Sequence, residues 1–275
     1  MEESLIKFTR DGKFLMLALD HRGSFSKLMD PENPGAVPNS EMIELKREII
    51  KSVFEQCSGL LIDVEIGLPA LDGMHKPYLL PIEKTGYRDV HGERLAELEY
   101  EAAQIKELGA SGVKLLVYFN PNYESAPGQM QVAREVIHDV MTANIPSFVE
   151  IVTYKKEGEV VGEERVELVL RSLERFIENG VLPDVFKLQY PGSKEACAKV
   201  TKAIGKIPWI MLTGGDDFDQ FKQELKEAVE GGCVGFLAGR ALWKEVMQLE
   251  GEEKKRFLDE TLPNRFREIC EIVTD

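Results

Sequence analysis

Eight short runs rich in Val, Ile, Leu and Phe recur along this 275-residue chain, at 14–20, 59–65, 78–83, 112–119, 147–152, 185–190, 209–213 and 234–238. Most are followed by a polar turn containing Gly or Pro and then by apolar residues on a helical period. This alternation constrains the fold more than any other feature, because repeated strand and helix units build a parallel sheet covered by helices. Met42, Ile43, Leu45, Ile49, Ile50, Val53 and Phe54 mark a helix over 40–57. The same spacing predicts helices over 93–108 (capped by Gly109), 129–143, 163–179, 194–204, 217–230, 241–249 and 252–273. After the second run, Pro69, Gly73 and Pro77 leave room for no more than one helical turn. Eight such units fit a single closed (β/α)8 barrel domain spanning residues 1–275. A doubly wound sheet would carry a G-x-G-x-x-G turn after its first strand, whereas residues 20–23 read Asp-His-Arg-Gly.

The 34 Lys and Arg against 48 Asp and Glu give a formal charge of −14. That balance argues against a nucleic acid or an anionic membrane surface as partner, so an anionic ligand needs a local positive pocket. The apolar stretch at 14–19 is too short to cross a bilayer and has no cleavage site after it, which points to a cytoplasmic protein. Cys57, Cys197, Cys233 and Cys270 lack a C-x-x-C pair and read as reduced thiols. His21, His75, His91 and His138 show no close ligand spacing, so neither a metal nor another cofactor is expected. His138 falls on a helix surface, and His75 and His91 fall in loops placed beside the barrel mouth.

Strands of a helix-covered parallel sheet are dry on both faces and should be almost wholly apolar. Several of these are interrupted by one charge: Asp63 in the second run, Lys114 in the fourth, Glu150 in the fifth and Lys187 in the sixth, while Asp20 ends the first. Two-residue alternation sends the apolar neighbours Phe186 and Leu188, Val113 and Leu115, and Val149 and Ile151 toward the helices. The charged residues then point into the barrel, where they must pair or shift their pKa. A buried salt-bridge network explains any one of them, but two lysines and several carboxylates converging from separate strands suit amine and proton-transfer catalysis. A lysine in water has a pKa of about 10.4 and is not nucleophilic, and burial beside a second ammonium such as Lys114 can lower it.

Thr213-Gly214-Gly215 closes the seventh run, and Gly239-Arg240 closes the eighth just before a helical segment. This is where barrels commonly bind phosphate, using backbone N–H groups, a helix N-terminus and here a guanidinium.

The segments 17–23 (LALDHRG), 61–70 (LIDVEIGLPA), 113–118 (VKLLVY), 186–191 (FKLQYP) and 235–243 (GFLAGRALW) resemble the class I tagatose 1,6-bisphosphate aldolase family over nearly the whole chain. That family takes in sulfofructose phosphate aldolases, and a similar domain is fused to some bacterial 5-dehydro-2-deoxygluconokinases. The Asp-His-Arg-Gly-Ser form at 20–24 is nearest that last branch. The resemblance implies a (β/α)8 fold and a Schiff-base lysine at Lys187. It implies that Lys114, Glu150 and Asp20 assist proton transfer, and that Thr213, Gly214, Gly239 and Arg240 hold the anionic end of a sugar phosphate. Gly215, His21, which stands where the tagatose enzymes have Gln, and Asp63 complete the expected binding set.

The expected reaction is cleavage of a phosphorylated ketose or keto-sugar acid to a dihydroxyacetone-phosphate-like fragment and an aldehyde. The alternatives are a sugar-phosphate-binding sensor or kinase partner that turns nothing over, and a transaldolase type of Schiff-base chemistry on the same scaffold. Against the sensor, binding alone seldom calls for a buried amine where Arg would hold an anion better. Phe257, Leu258, Phe266 and Ile269 in the closing helices could pack on the barrel or on a second copy of the chain, leaving a homo-oligomer open.

Overall fold

All eight apolar runs are strands in the computed structural model, which describes residues 3–156, 164–215 and 217–275. They are β1 (Lys13–Leu19), β2 (Gly59–Ile62), β3 (Tyr78–Pro81), β4 (Gly112–Phe119), β5 (Ser147–Thr153), β6 (Val185–Leu188), β7 (Trp209–Leu212) and β8 (Gly235–Ala238). Each pairs in parallel with the next in sequence, and β8 returns to β1 with Gly235 opposite Phe14 and Ala238 opposite Leu17. The sheet is a closed (β/α)8 barrel with no free edge in the ring.

Side chains alternate along each strand as the period of two requires. Leu15, Leu17 and Leu19 face outward into the layer between strands and helices, whereas Phe14, Met16 and Ala18 face inward with Leu61, Leu79, Phe148, Val185, Ile210 and Leu237. Leu5 and Phe8, from the segment before β1, join this inner cluster and close one end of the barrel. The Phe8 and Phe14 rings meet Phe148 edge-on at 5.3 and 5.9 Å.

The outer layer comprises α1 (Asn39–Val53), the single turn α2 (Gly67–Ala70), α3 (Ala102–Glu107), α4 (Ala126–Ala143), α5 (Glu164–Glu178), α6 (Lys194–Ile204), α7 (Phe218–Glu230) and, after shorter turns, α8 (Leu262–Thr274). Helix α1 buries Met42, Leu45, Ile49, Ile50 and Val53 on one face, as its spacing predicts. Asp217 caps α7 by accepting from the Gln220 amide at 2.9 Å. The closing helices pack on the barrel: Phe257, Leu258, Phe266 and Ile269 are all buried in the outer core. Among the described residues no helix is long and apolar enough to cross a membrane.

The helix expected over 93–108 is the main departure. Glu93–Leu95 is a strand that pairs antiparallel with Arg88–Val90, and the helix proper begins only at Ala102. His91 and Gly92, at φ of 54° and 79°, make the tight turn of this hairpin. Contacts distant in sequence hold it: the Ser125 amide donates to Glu93 at 2.8 Å, and the Arg94 guanidinium lies over the rings of Tyr87, Tyr118 and Tyr154 at 4.9–5.5 Å. A short helix at Gly23–Met29 also precedes α1, which the spacing does not predict. The start of the helix expected at 163 lies outside the described residues.

Candidate active site

At the C-terminal ends of the strands the inward side chains change from apolar to charged. Two positions beyond Phe148 on β5 stands Glu150, and two beyond Val185 on β6 stands Lys187, in register with one another. Lys114 comes from β4, Asp20 follows β1 and Glu83 follows β3. These side chains border one cavity of about 610 Å³. The two lysines are almost fully buried, Lys187 at 5% and Lys114 at 3% exposure.

Their contacts form a chain of charge. The Lys187 Nζ lies 2.8 Å from Glu150 Oε2, and the same oxygen lies 3.3 Å from Lys114 Nζ. Lys114 also reaches Glu83 Oε1 at 2.6 Å and Asp20 Oδ2 at 3.2 Å. Burial works against the Lys114 charge, but Glu83, Asp20 and Glu150 outweigh it and hold this ammonium well above the ordinary lysine value. Burial likewise pushes Glu150 up, and Lys187 and Lys114 bring it below the ordinary carboxylate value. For Asp20 the upward push of burial is overcome first by Lys114, and the net shift is also downward. At Glu83 burial prevails over Lys114, so this carboxyl is shifted up, and its Oε2 has no hydrogen-bond partner among the described residues. The cluster therefore joins a lysine held in its charged form, two carboxylates whose ionisation is favoured and one whose ionisation burial opposes.

Glu83 was not among the expected site residues. The signal was present, since it follows the inward Leu79 and Pro81 at steps of two, but it lies beyond the apolar part of its run. Tyr118 on β4 and Gln189 after β6 also line the cavity, Gln189 accepting from Thr153 N and Oγ1 at 2.8 and 2.9 Å.

Thr213, Gly214, Gly239 and Arg240 line the cavity on the side of β7 and β8. Gly214 and Gly215 both have positive φ, 62° and 94°, and a Cβ on Gly215 would lie 3.1 Å from the Arg240 guanidinium. Gly215 thus stands behind the Arg240 group, leaving room for it. His21 also lines the cavity. Its ring packs edge-on against Trp243 at 5.3 Å, and its Nδ1 is 3.8 Å from Asp20 Oδ1. Burial pushes the imidazole down, and although Asp20 opposes this, Arg240 and two lysines add to it, leaving a value of about 4. His21 is neutral at pH 7.

Asp63 is a correction. It is fully buried but does not line the cavity: β2 ends at Ile62, and the Asp63 carboxylate turns to the Lys46 ammonium on α1 while accepting from the Ile66 amide at 2.8 Å. His75 is another, because it lies on the connection into β3, at the end of the barrel opposite the mouth, and is exposed with His91 and His138. Among the described residues no three His, Cys, Asp or Glu side chains are grouped so as to hold a metal ion.

A (β/α)8 barrel that gathers two buried amines and three carboxylates around one cavity, with a guanidinium at its rim, has the parts of a carbon–carbon lyase acting on a carbonyl compound. The chain belongs to the DeoC/LacD family of aldolases, whose family model matches residues 14–245. It is 31% identical over 284 aligned positions to a tagatose 1,6-diphosphate aldolase of Staphylococcus epidermidis, covering 90% of this chain and 86% of that protein. A Staphylococcus aureus protein of the same name is 30% identical with the same coverage. Among solved structures, an archaeal fructose 1,6-bisphosphate aldolase superposes with a TM-score of 0.69 at 21% identity, over 98% of this chain and 99% of that one. A fructose-bisphosphate aldolase of Plasmodium falciparum gives 0.73 at 15% identity, over 98% and 92%. These likenesses show the shared barrel.

Proposed function

We propose that this aldolase works through a Schiff base on Lys187 and cleaves a phosphorylated ketose or keto-sugar acid. The observation that carries the reading is the Lys187 amine, buried beside an open cavity and 2.8 Å from a carboxylate able to exchange protons with it. Glu150 takes a proton from Lys187, the neutral amine adds to the ketone carbon, and Glu150 returns that proton as the carbinolamine loses water. The resulting iminium draws the electrons of the adjacent carbon–carbon bond as a carboxylate of the cluster takes the proton of the hydroxyl beside it. An aldehyde departs, the enamine left on Lys187 is protonated on carbon, and water releases the ketone fragment and the free amine. Lys114, kept charged by its three carboxylates, fixes the orientation of Glu150 throughout and stabilises its anion.

Arg240, Thr213, Gly214 and Gly239 hold the phosphate and so place the carbonyl over Lys187. Arg22 borders the other side of the mouth with Ser24, Lys84 and Thr85; its terminal nitrogens pair with Glu99 at 3.2 and 3.3 Å, and its buried Nε has no hydrogen-bond partner among the described residues. That second polar side supports a substrate polar at both ends, as the name of the Staphylococcus relatives suggests. A cytoplasmic setting accords with four free cysteines.

Borohydride reduction in the presence of tagatose 1,6-bisphosphate, sulfofructose phosphate or 2-deoxy-5-keto-gluconate 6-phosphate tests the reading. A reduced adduct mapped by peptide mass to Lys187 is expected with the true substrate. Tight binding of a sugar phosphate with no turnover and no adduct would leave a sensor in its place, and transfer of the three-carbon unit to an acceptor sugar would leave a transaldolase.

A further inference from the structure

Beneath the site lies a buried lysine–carboxylate pair, Lys46 and Asp63, that the proposed chemistry does not use. Lys46 is an intruder on the buried face of α1, among Met42, Leu45, Ile49 and Ile50, and both it and Asp63 are fully buried. Taking an ammonium and a carboxylate out of water costs about as much as their pairing returns, so apolar side chains would serve the core equally well. The pair makes two further bonds, and these are to backbone. Lys46 Nζ donates to the carbonyl of Leu19 at 2.7 Å, and the Ile66 amide donates to Asp63. Leu19 is the last residue of β1, and the next two residues are Asp20 and His21. One position earlier, the Trp243 indole donates to the carbonyl of Ala18 at 3.1 Å, and the same indole packs against the His21 ring. The last two carbonyls of β1 are therefore gripped by side chains from two different helical segments. The strand end that carries Asp20 cannot slide or tilt without breaking one of these grips.

We propose that Lys46 is a positioning residue for the reaction: its bond to the Leu19 carbonyl fixes the end of β1 and so holds Asp20 against Lys114, while Asp63 only balances the Lys46 charge. The proposal rests on the Lys187 reading above, and it assigns Lys46 no contact with substrate. Because Arg240, Thr213 and Gly214 belong to β7 and β8 and the turns after them, loosening β1 should lower turnover and leave binding of the anionic end largely intact.

Two variants separate the grip from the ion pair. Asp63→Asn keeps the shape of the side chain and an acceptor for Ile66; Lys46, whose charge burial opposes, then gives up its proton and as a neutral amine accepts from the new amide while still donating to Leu19, and kcat is expected within about threefold of the parent. Lys46→Met/Asp63→Asn removes both charges without changing volume and leaves the Leu19 carbonyl ungripped. Its kcat is expected to fall about 30-fold, with KM changed by less than about threefold, the asymmetry expected when an interaction acts in the transition state only. Equal activity of the two variants, whether high or low, would overturn the proposal, as would a parallel change in kcat and KM. Failure of the double variant to fold would also overturn it, by making the pair a structural one. The parent enzyme is trapped with borohydride alongside: no adduct in the parent refutes the Lys187 reading, whereas a trapped parent with an unimpaired double variant refutes only the role given to Lys46.

Discussion

The two halves of the barrel interior are built by the same strands with the same inward parity, yet two residues separate opposite chemistries. Phe148 gives way to Glu150 on β5, Val185 to Lys187 on β6, and Met16 and Ala18 to Asp20 at the end of β1. The lower half is sealed by Leu5 and Phe8 and is dry; the upper half opens into the cavity. The difference teaches that the apolar half does more than fill space. It removes water and freely turning dipoles from one side of the charged cluster, so that the ion pairs above it act in a medium of low dielectric. It also supplies a rigid base from which short strand ends can hold side chains to within a few tenths of an ångström.

If that division is correct, substitutions above it alter chemistry and substitutions below it alter stability. The largest effect is expected for Lys187→Met, which removes the amine without changing volume: turnover should fall by about 10⁴-fold or more, with no borohydride adduct and unchanged melting. Survival of substantial activity would break the comparison at its centre. Glu150→Gln should come next, lowering kcat by about 10³-fold, the range of a lost general acid–base. Below the division, Phe148→Ala removes a ring packed between Phe8 and Phe14 and should cost about 3–5 kcal/mol of stability, read from denaturant titration. Its kcat per folded molecule should stay within about threefold, since it only borders the charged group. A loss of turnover as large as that of Glu150→Gln would show that the floor belongs to the catalytic device.

The upper half was legible in the sequence because a charge inside a strand that is dry on both faces stands out against its neighbours. Lys114, Glu150 and Lys187 are each flanked by two outward apolar residues, and alternation alone sends them inward. That argument holds only while the chain remains a strand. Asp63 shares the parity of the inward Leu61, but β2 stops at Ile62 and the carboxylate joins a turn. Its partner Lys46 was invisible because the helical period of α1 marks only the apolar residues around it. Glu83 shows the converse, obeying the parity of Leu79 and Pro81 from just beyond the strand. The hairpin at 88–95 depends on Arg94 reaching rings at 118 and 154, and no local periodicity reports a contact of that range. His75 was misplaced for a topological reason: loops leading into strands lie at the opposite end of the barrel from loops leaving them.

The anion-binding side sharpens the comparison further, because it lies above the division but outside the amine cluster. Arg240→Ala should lower kcat/KM by about 10²-fold, mostly through KM, with the Lys187 adduct still formed at high substrate concentration. A loss confined to kcat would move Arg240 from binding into the chemistry.

The smallest effect expected concerns His21, whose imidazole takes up its proton at a lower pH in the folded protein than in the unfolded chain. Its value in the folded protein is about 4, against an ordinary histidine value of 6.5. Between those values the unfolded chain binds a proton that the folded one refuses, so stability falls as the pH is lowered from 6.5 toward 4 and is unaffected by this group above that window. At pH 5 the cost is about 2 kcal/mol, from the rule that one pKa unit is worth 1.36 kcal/mol. The variant His21→Gln cannot take up that proton. Its melting temperature should match the parent at pH 8 and exceed it at pH 5, and calorimetry at the two values reads the difference directly. Parallel pH curves for the two proteins would show that the imidazole is not held in its neutral form by the folded structure, and that its burial against Trp243 and its nearness to Arg240 do not govern its charge.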